Sequence, residues 1–261
     1  MQNGVCLLSL IPIRFEPTSK SEMVSQLLFG ETYEILDQQS DWIKIKTETE
    51  NYEGWISQNQ YCTWNEQSES RQVLGVFPYA VATNKVSNLE VNILPGSVVH
   101  DLDVKEQEVY FQINNVRYSL AISPDELMAI GSKTIGQYAC KFLNAPYLWG
   151  GKSMWGIDCS GLTQLLFKVA GLQLPRDAYQ QAEIGDQVDF VNDARLGDLA
   201  FFDNEQGKIT HVGMVLEPGE IIHASGMVRR DVLDSYGIFN ESLGKHTHKL
   251  RMIKRIIPSI L

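Results

Sequence analysis

The amino-acid sequence predicts an α+β fold in which two small all-β domains precede a larger domain that combines helices with an antiparallel sheet. Two features of the sequence support this prediction. The first half contains short runs rich in β-branched and aromatic residues, separated by polar or Gly- and Pro-containing turns. In the second half, two segments with helical apolar spacing come before a series of strand-like runs. The expected domains span residues 1–63, 64–123 and 124–261.

The first domain is expected to be a small antiparallel barrel of the SH3-like type. Apolar and charged residues alternate from Trp42 to Lys46, which is typical of a strand with one buried face. A polar turn then leads into the run that begins at Gly54. Short strands at this spacing favour a small barrel. The predicted strands lie at 5–15, 32–36, 42–46 and 54–56.

A similar layout recurs after a polar linker at 63–70, so the sequence predicts a second small SH3-like domain. The dipeptides Pro95-Gly96 and Asn114-Asn115 are turn residues between its strand-like runs. The predicted strands lie at 74–81, 89–94, 97–102, 109–113 and 117–122.

The third domain begins with the features of a helix start. Ser123 is a suitable cap and Pro124 suits the first turn, and helical apolar spacing from Ile135 continues until Asn144. A second helix is predicted from 159 to 170, ending before Gly171. Strands are predicted at 199–202, 211–216 and 220–223, with a last one near 250–257.

The composition narrows the classes of partner. Hydrophobic residues make up 44% and charged residues 21% of the chain, as in an ordinary globular protein. The formal charge of −10 argues against binding to a phosphate backbone. No apolar run approaches the roughly 20 residues of a spanning helix, and the N-terminus lacks the basic segment of a signal peptide. We therefore expect no nucleic-acid or membrane partner and a cytoplasmic location, or a periplasmic one if the N-terminus was trimmed.

One cysteine and two histidines form a candidate catalytic group. Cys159 lies between an aspartate and a serine at the predicted start of the second helix, where free N–H groups and the helix dipole stabilise a thiolate. His211 begins one predicted strand and His223 ends the next, so antiparallel pairing would bring the two rings together. These are the parts of a thiol nucleophile, its base and a group that orients the base.

Metal binding by the same three residues is disfavoured, because they lie far apart in sequence and no fourth ligand is evident. The four cysteines include no CxxC pair, which argues against a zinc ribbon or a thioredoxin-like site. His246 and His248 form an HxH pattern in a polar segment and are predicted to be solvated. For His100 no chemical role is expected.

The C-terminal half of the sequence resembles the NlpC-type cysteine peptidases of bacterial cell-wall metabolism. This resemblance implies a papain-like catalytic domain. Six motifs occur in the family's order and cover the C-terminal half. The two preceding β-domains look like the bacterial SH3-like domains of the γ-D-glutamyl-L-diamino acid endopeptidases. The matching motifs are Tyr147-Leu-Trp-Gly-Gly, Gly156-Ile-Asp-Cys-Ser-Gly-Leu, Leu174-Pro-Arg-Asp-Ala-Tyr-Gln-Gln, Gly197-Asp-Leu-Ala-Phe-Phe, Thr210-His-Val-Gly and Ile222-His-Ala-Ser.

The resemblance implies Cys159 as nucleophile, His211 as base and His223 as the residue that orients the base. It also implies a murein peptide substrate that begins L-Ala-γ-D-Glu and is cut before the diamino acid, without a cofactor. A free N-terminal ammonium of that peptide would be met by carboxylates, for which Asp158 and Glu22 are the candidates.

The resemblance gives three more residues a role at the substrate. Tyr52 would project from the first domain and help hold the developing oxyanion. Ser160 would hydrogen-bond the substrate, and Arg176 would line the same region. Ala178 departs from the small hydroxyl residue of many relatives, so one hydrogen bond to the D-Glu carboxylate would come from elsewhere.

The expected function is therefore the trimming of free, released stem peptides by a monomeric enzyme. Two alternatives remain at this stage. An acyltransferase or thioesterase could use the same residues, and a non-catalytic protein could bind wall peptides through its β-domains. The sequence does not distinguish meso-diaminopimelate from L-Lys as the diamino acid.

Overall fold

A computed structural model describes residues 3–65, 70–127 and 134–256. The chain forms two compact units, Met1–Ala129 and Ile130–Leu261. The first unit contains two antiparallel sheets, and the second combines helices with a third large sheet, so the predicted α+β class is confirmed. None of the helices in the described ranges is both long and apolar enough to cross a membrane.

The first sheet has six strands in the order β1-β4-β5-β6-β2-β3. In the fifth strand, Ile43, Ile45 and Thr47 are buried while the residues between them are partly exposed, as the sequence alternation predicts. The strands are β1 (Asn3–Val5), β2 (Leu10–Arg14), β3 (Met23–Leu28), β4 (Thr32–Gln39), β5 (Trp42–Thr47) and β6 (Glu53–Ser57), followed by a 3-10 turn at Gln58–Gln60. The third strand was not expected, and the predicted run 5–15 is two strands.

The second sheet repeats the strand order of the first, β7-β10-β11-β12-β8-β9. The predicted strand at 74–81 is wrong, because the chain leaves the sheet after Val73 and re-enters it at Ala80. Pro78, which has no N–H to donate, lies in that gap. The strands are β7 (Arg71–Val73), β8 (Ala80–Asn84), β9 (Glu90–Ile93), β10 (Val98–Lys105), β11 (Glu108–Ile113) and β12 (Val116–Ala121).

The segment that forms the first sheet supplies one residue to the core of the second. Phe29, which follows β3, packs edge-on against Phe111 and Tyr118 of the second sheet, with ring centroids 5.8 and 5.9 Å apart. The next residue, Gly30, has φ +78° and approaches the Val98 carbonyl so closely that a β-carbon would lie 1.8 Å from its oxygen. The division at residue 63 therefore stays a prediction, since the unit is continuous across it.

The sheet of the second unit has seven strands in the order β15-β21-β16-β17-β18-β19-β20. An additional pairing between β20 and β21 closes six of them into a ring. The strands are β15 (Asp186–Val188), β16 (Leu199–Asp203), β17 (Ile209–Glu217), β18 (Glu220–Ser225), β19 (Met227–Leu233), β20 (Gly237–Asn240) and β21 (Lys245–Arg255), after a hairpin of β13 (Lys152–Ser153) and β14 (Gly156–Ile157).

The helices of the second unit are short. The predicted helix start at Ser123 is a 3-10 turn at Pro124–Leu127, and the α-helix of this segment spans Ile135–Cys140; residues 128–133 of the predicted helix lie outside the described ranges. The second predicted helix is confirmed as α2, which packs against β17. The helices are α1 (Ile135–Cys140), α2 (Cys159–Val169) and α3 (Ala178–Gln181), with a further 3-10 turn at Val191–Asp193.

Candidate active site

Cys159 is the first residue of α2, as the sequence predicts, and its side chain is buried. Asp158 caps the helix by accepting a hydrogen bond from the Gly161 N–H at 2.7 Å. A β-carbon at position 161 would lie 2.2 Å from the Gly151 carbonyl oxygen, so glycine is required where the helix start meets this loop. The cap and the close approach together fix the position of the thiol.

The two predicted histidines meet across the β17–β18 pair. His223 lies directly opposite Gly213, which makes it a diagonal neighbour of His211. His211 Nε2 and His223 Nδ1 are 2.8 Å apart, and both rings are buried. A β-carbon at position 213 would lie 2.9 Å from that of His223. Glycine at 213 therefore leaves the space in which the His223 ring reaches its neighbour.

The row of polar groups continues to Asp231, which the sequence analysis missed. His223 Nε2 lies 3.0 Å from Asp231 Oδ2. Arg229 donates to both oxygens of the same carboxylate, from Nε at 2.6 Å and from Nη2 at 2.8 Å. Burial raises the pKa of Asp231, but the hydrogen bonds from His223 and Arg229 outweigh it and the net pKa is lowered.

A sequence pattern could have revealed this residue. The Ser225–Gly226 turn of the β18–β19 hairpin places His223 opposite Arg229. A residue two positions further along the same strand is then a diagonal neighbour of the histidine on the same face. Asp231 stands at that position, but β19 was not among the predicted strands.

The thiol lies close to the strand that carries His211. The backbone of Val212, the next residue, is within hydrogen-bonding reach of Cys159 Sγ. Because Nε2 of His211 is already paired with His223, Nδ1 is the ring nitrogen left to take a proton from the thiol.

Burial sets the charge state of this pair. It raises the pKa of the Cys159 thiol to about 11, with Asp158 adding to the effect, and it lowers the pKa of His211 well below its usual value. The expected thiolate at the helix start is thus opposed by burial, and the resting pair is a neutral thiol beside a neutral imidazole. Such a pair can attack a carbonyl if the proton passes to the imidazole during the attack.

Asp158, Ser160 and Arg176 form one buried cluster beside the cysteine. Arg176 Nη2 donates to Asp158 Oδ2 at 2.5 Å, and its Nη1 donates to Asp158 Oδ1 at 3.1 Å and to Ser160 Oγ at 2.8 Å. Asp158 also accepts from the Gly150 N–H at 2.8 Å. The structure therefore gives these residues a role in holding the helix start, while their contacts with substrate stay predictions.

His248 is only partly exposed, whereas the sequence predicted a solvated side chain. Its ring is half-buried and stacks on His211 with centroids 4.1 Å apart and an interplanar angle of 24°. Burial, followed by the nearby His223, lowers its pKa to about 4. His246 is exposed and pairs with Asp234 at 2.8 Å. Both histidines belong to β21, which begins earlier than predicted.

Tyr147 is a second residue that the sequence analysis quoted but gave no role. Its backbone pairs with Ile157, two residues before Cys159, and its pKa is raised to about 12, first by burial and then by electrostatic interaction with Cys159 and Asp158. At neutral pH the phenol keeps its proton and can donate a hydrogen bond.

Tyr52 and Glu22 belong to the first unit. Tyr52 lies in the β5–β6 turn, where its N–H donates to Thr47 Oγ1 at 3.0 Å and its carbonyl accepts from the Thr47 N–H at 2.9 Å. Glu22 is exposed just before β3, and its carbonyl accepts from the Phe15 N–H. Their roles toward a substrate stay predictions. Across the described ranges, no group of three or more His, Cys, Asp or Glu side chains is arranged to hold a metal ion.

Comparisons with known proteins agree with this architecture. Residues 144–247 match the NlpC/P60 family, and residues 13–60 match the bacterial dipeptidyl-peptidase Sh3 domain. The chain is 31% identical to a gamma-D-glutamyl-L-lysine dipeptidyl-peptidase of Bacillus subtilis, over 77% of this chain and 71% of that protein. A protein of the same name from Bacillus cereus is 28% identical over 79% and 68% of the two chains.

A solved structure shares the whole fold. The crystal structure of an NlpC/P60 family protein from Bacillus cereus superposes with a TM-score of 0.84 at 20% identity, covering 98% of this chain and all of the other. With a cysteine at a helix start, a histidine pair on adjoining strands and these similarities over most of its length, the chain belongs to the NlpC/P60 family of cysteine peptidases.

Proposed function

We propose that this enzyme is a cysteine peptidase that hydrolyses the γ-D-glutamyl–diamino acid bond of murein peptides with a free N-terminal L-Ala. The observation that carries the proposal is the pairing of His211 and His223 at 2.8 Å beside the helix start that bears Cys159. The names of the two Bacillus relatives support the proposal that the γ-D-glutamyl bond is the one that is cut. A dipeptidyl-peptidase, by the meaning of the term, releases a dipeptide from the amino end.

In the proposed reaction, Cys159 Sγ attacks the γ-carbonyl carbon of D-Glu while the thiol proton passes to Nδ1 of His211. Breakage of the C–N bond follows, and His211 donates that proton to the departing amine of the diamino acid. Water then attacks the thioester, one of its protons passing through His211 to the leaving sulfur. The products are L-Ala-D-Glu and the shortened peptide, and the thiol is regenerated.

The proposed recognition of the free amine uses Asp158 and Glu22. Asp158 is ion-paired with Arg176, so an ammonium would share a carboxylate that is already hydrogen-bonded. Glu22 is an exposed carboxylate on the first unit. An N-acetyl group would remove the charge that either acid attracts. We therefore expect acetylated peptides to be poor substrates.

The test is mass spectrometry of L-Ala-γ-D-Glu-L-Lys incubated with the enzyme, beside its meso-diaminopimelate and N-acetylated counterparts. Release of L-Ala-D-Glu from the free peptides alone is expected, and Cys159→Ala should abolish it. If the acetylated peptide is cleaved at an equal rate, the proposed roles of Asp158 and Glu22 in binding the amine are wrong, but the proposed peptidase activity stands. If none of the peptides is cut by the folded enzyme, the proposed substrate is wrong.

A further inference from the structure

We propose that Asp231, held by Arg229, is a positioning residue that fixes the tautomers of both His223 and His211 and so keeps Nδ1 of His211 free for the thiol proton. The inference rests on the proposed pairing of Cys159 with His211, and it does not depend on which peptide is cut. Asp231 thereby acts on the thiol through the two histidines without touching it.

The buried side chain of Asp231 forms an ion pair with Arg229. Arg229 donates to both oxygens of this carboxylate, and the side chain of Asp231 is almost completely buried. A guanidinium that donates to both oxygens favours the ionised carboxylate, which can only accept hydrogen bonds. At 3.0 Å from Asp231 Oδ2, His223 Nε2 must therefore carry a proton.

A neutral imidazole carries one proton, on one of its two ring nitrogens. In the proposed row His223 is neutral and carries its single proton on Nε2, so that its Nδ1 is a bare acceptor. The facing atom at 2.8 Å, Nε2 of His211, must then be the donor. His211 is neutral because burial lowers its pKa, so its Nδ1 carries no proton. The chain of hydrogen bonds thus prepares the nitrogen that accepts the thiol proton.

The groups that surround the two rings are compatible with hydrogen bonds that run from His211 to His223 and from His223 to Asp231. His248 stacks on His211 and approaches His223 edge-on at 5.7 Å, so it covers the rings with an aromatic face. Phe202 covers His211 from another side at 5.7 Å. Neither contact supplies a competing hydrogen bond to the row, so the carboxylate is the group that selects the tautomer.

The variant Asp231→Asn is expected to allow the opposite direction of hydrogen bonding along the row. An amide has the size of the carboxylate but can donate to His223 Nε2, which allows the proton of His223 to move to Nδ1 and that of His211 to face the thiol. We expect kcat/KM for the peptide to fall by about 10²- to 10⁴-fold, the range of a lost general base. Alkylation of Cys159 by iodoacetamide at pH 7 should slow at least about tenfold for the same reason.

The control is Asp234→Asn. Asp234 pairs with His246 at 2.8 Å in the same unit, but this pair is exposed and lies outside the row of the site. Its variant should keep the parent rates in both assays. Labelling is followed peptide by peptide, so that the partly buried Cys62 serves as an internal reference for reagent and pH in every sample.

A measurement on the unaltered enzyme guards against misfolding of the variant. Nitrogen-15 spectra of the histidine rings, assigned by single substitutions, report which nitrogen carries the proton. We expect Nε2–H on both His211 and His223. A proton on Nδ1 of His223, or unchanged alkylation of Cys159 in a folded Asp231→Asn variant, would overturn the inference. Alkylation uses no peptide, so failure of the proposed substrate would leave this result unaffected.

Discussion

At the scale of single residues, ring contacts control the charge of the proposed base. His211 is covered by Phe202 and His248, and burial is the first cause of its lowered pKa. A base of low pKa stays unprotonated down to mildly acidic pH, and the acidic limb of the pH–rate profile reports that protonation. The His248 ring should therefore influence the profile although it donates nothing to the reaction.

The variants His248→Phe and His248→Ala separate these effects. Phenylalanine keeps a ring over His211, so kcat/KM should stay within about tenfold of the parent. Alanine admits water, which raises the pKa of His211 and moves the acidic limb to higher pH. The measurement is kcat/KM between pH 4.5 and 8. If the acidic limb of the alanine variant coincides with that of the parent enzyme, the His248 ring does not shield His211 from water.

Tyr147 is a second candidate for the role of oxyanion donor that the family resemblance predicts for Tyr52. Its phenol interacts electrostatically with Cys159 and, with a pKa of about 12, stays protonated at neutral pH. We expect Tyr147→Phe to lower kcat by about 10²-fold with little change in KM, as for a lost oxyanion donor. Tyr179→Phe, at an exposed position on α3, is the control. If instead only Tyr52→Phe lowers kcat, the donor lies in the first unit, as the family resemblance implies.

At the scale of elements, local sequence patterns predict the structure correctly where a single helix or strand determines the geometry. The apolar face of α2 and the placement of Cys159 at its start could be predicted, because capping and helical spacing are local properties. The place of His248 could not, because its contacts depend on which strands become neighbours, and Asp231 follows from the sequence only once the β18–β19 hairpin is recognised. The pairing of β20 with β21, which closes the ring, is set by long-range packing that no local pattern contains.

The start of α2 depends on a buried ion pair. Arg176 and Asp158 are nearly inaccessible to solvent, so removing the arginine leaves a buried carboxylate without its charge partner. We expect Arg176→Met to lower the free energy of unfolding by about 3–5 kcal/mol. Arg230→Met removes an exposed pair with Glu220 and should cost less than about 1 kcal/mol. Urea unfolding measures both, and equal costs would contradict the structural role given to Arg176.

At the scale of the whole molecule, the first unit consists of one sheet topology used twice. The strand orders β1-β4-β5-β6-β2-β3 and β7-β10-β11-β12-β8-β9 correspond strand for strand. The repeat was visible in the sequence as a recurring layout of runs and turns. The contact that joins the two copies was not visible in the sequence. Phe29 lies in the segment that forms the first sheet, but its side chain packs in the core of the second.

Phe29→Ala tests whether the two sheets unfold as one. The residue is fully buried, and truncation of such a phenylalanine costs about 3–5 kcal/mol. Because the side chain connects the sheets, hydrogen exchange should accelerate in both β5 and β11, with one shared loss of protection. Phe15→Ala, at a position that is 67% exposed, should change neither. Faster exchange in β11 alone would mean that each sheet is stable by itself, and the unit would then be two domains divided near residue 63, as the sequence first suggested.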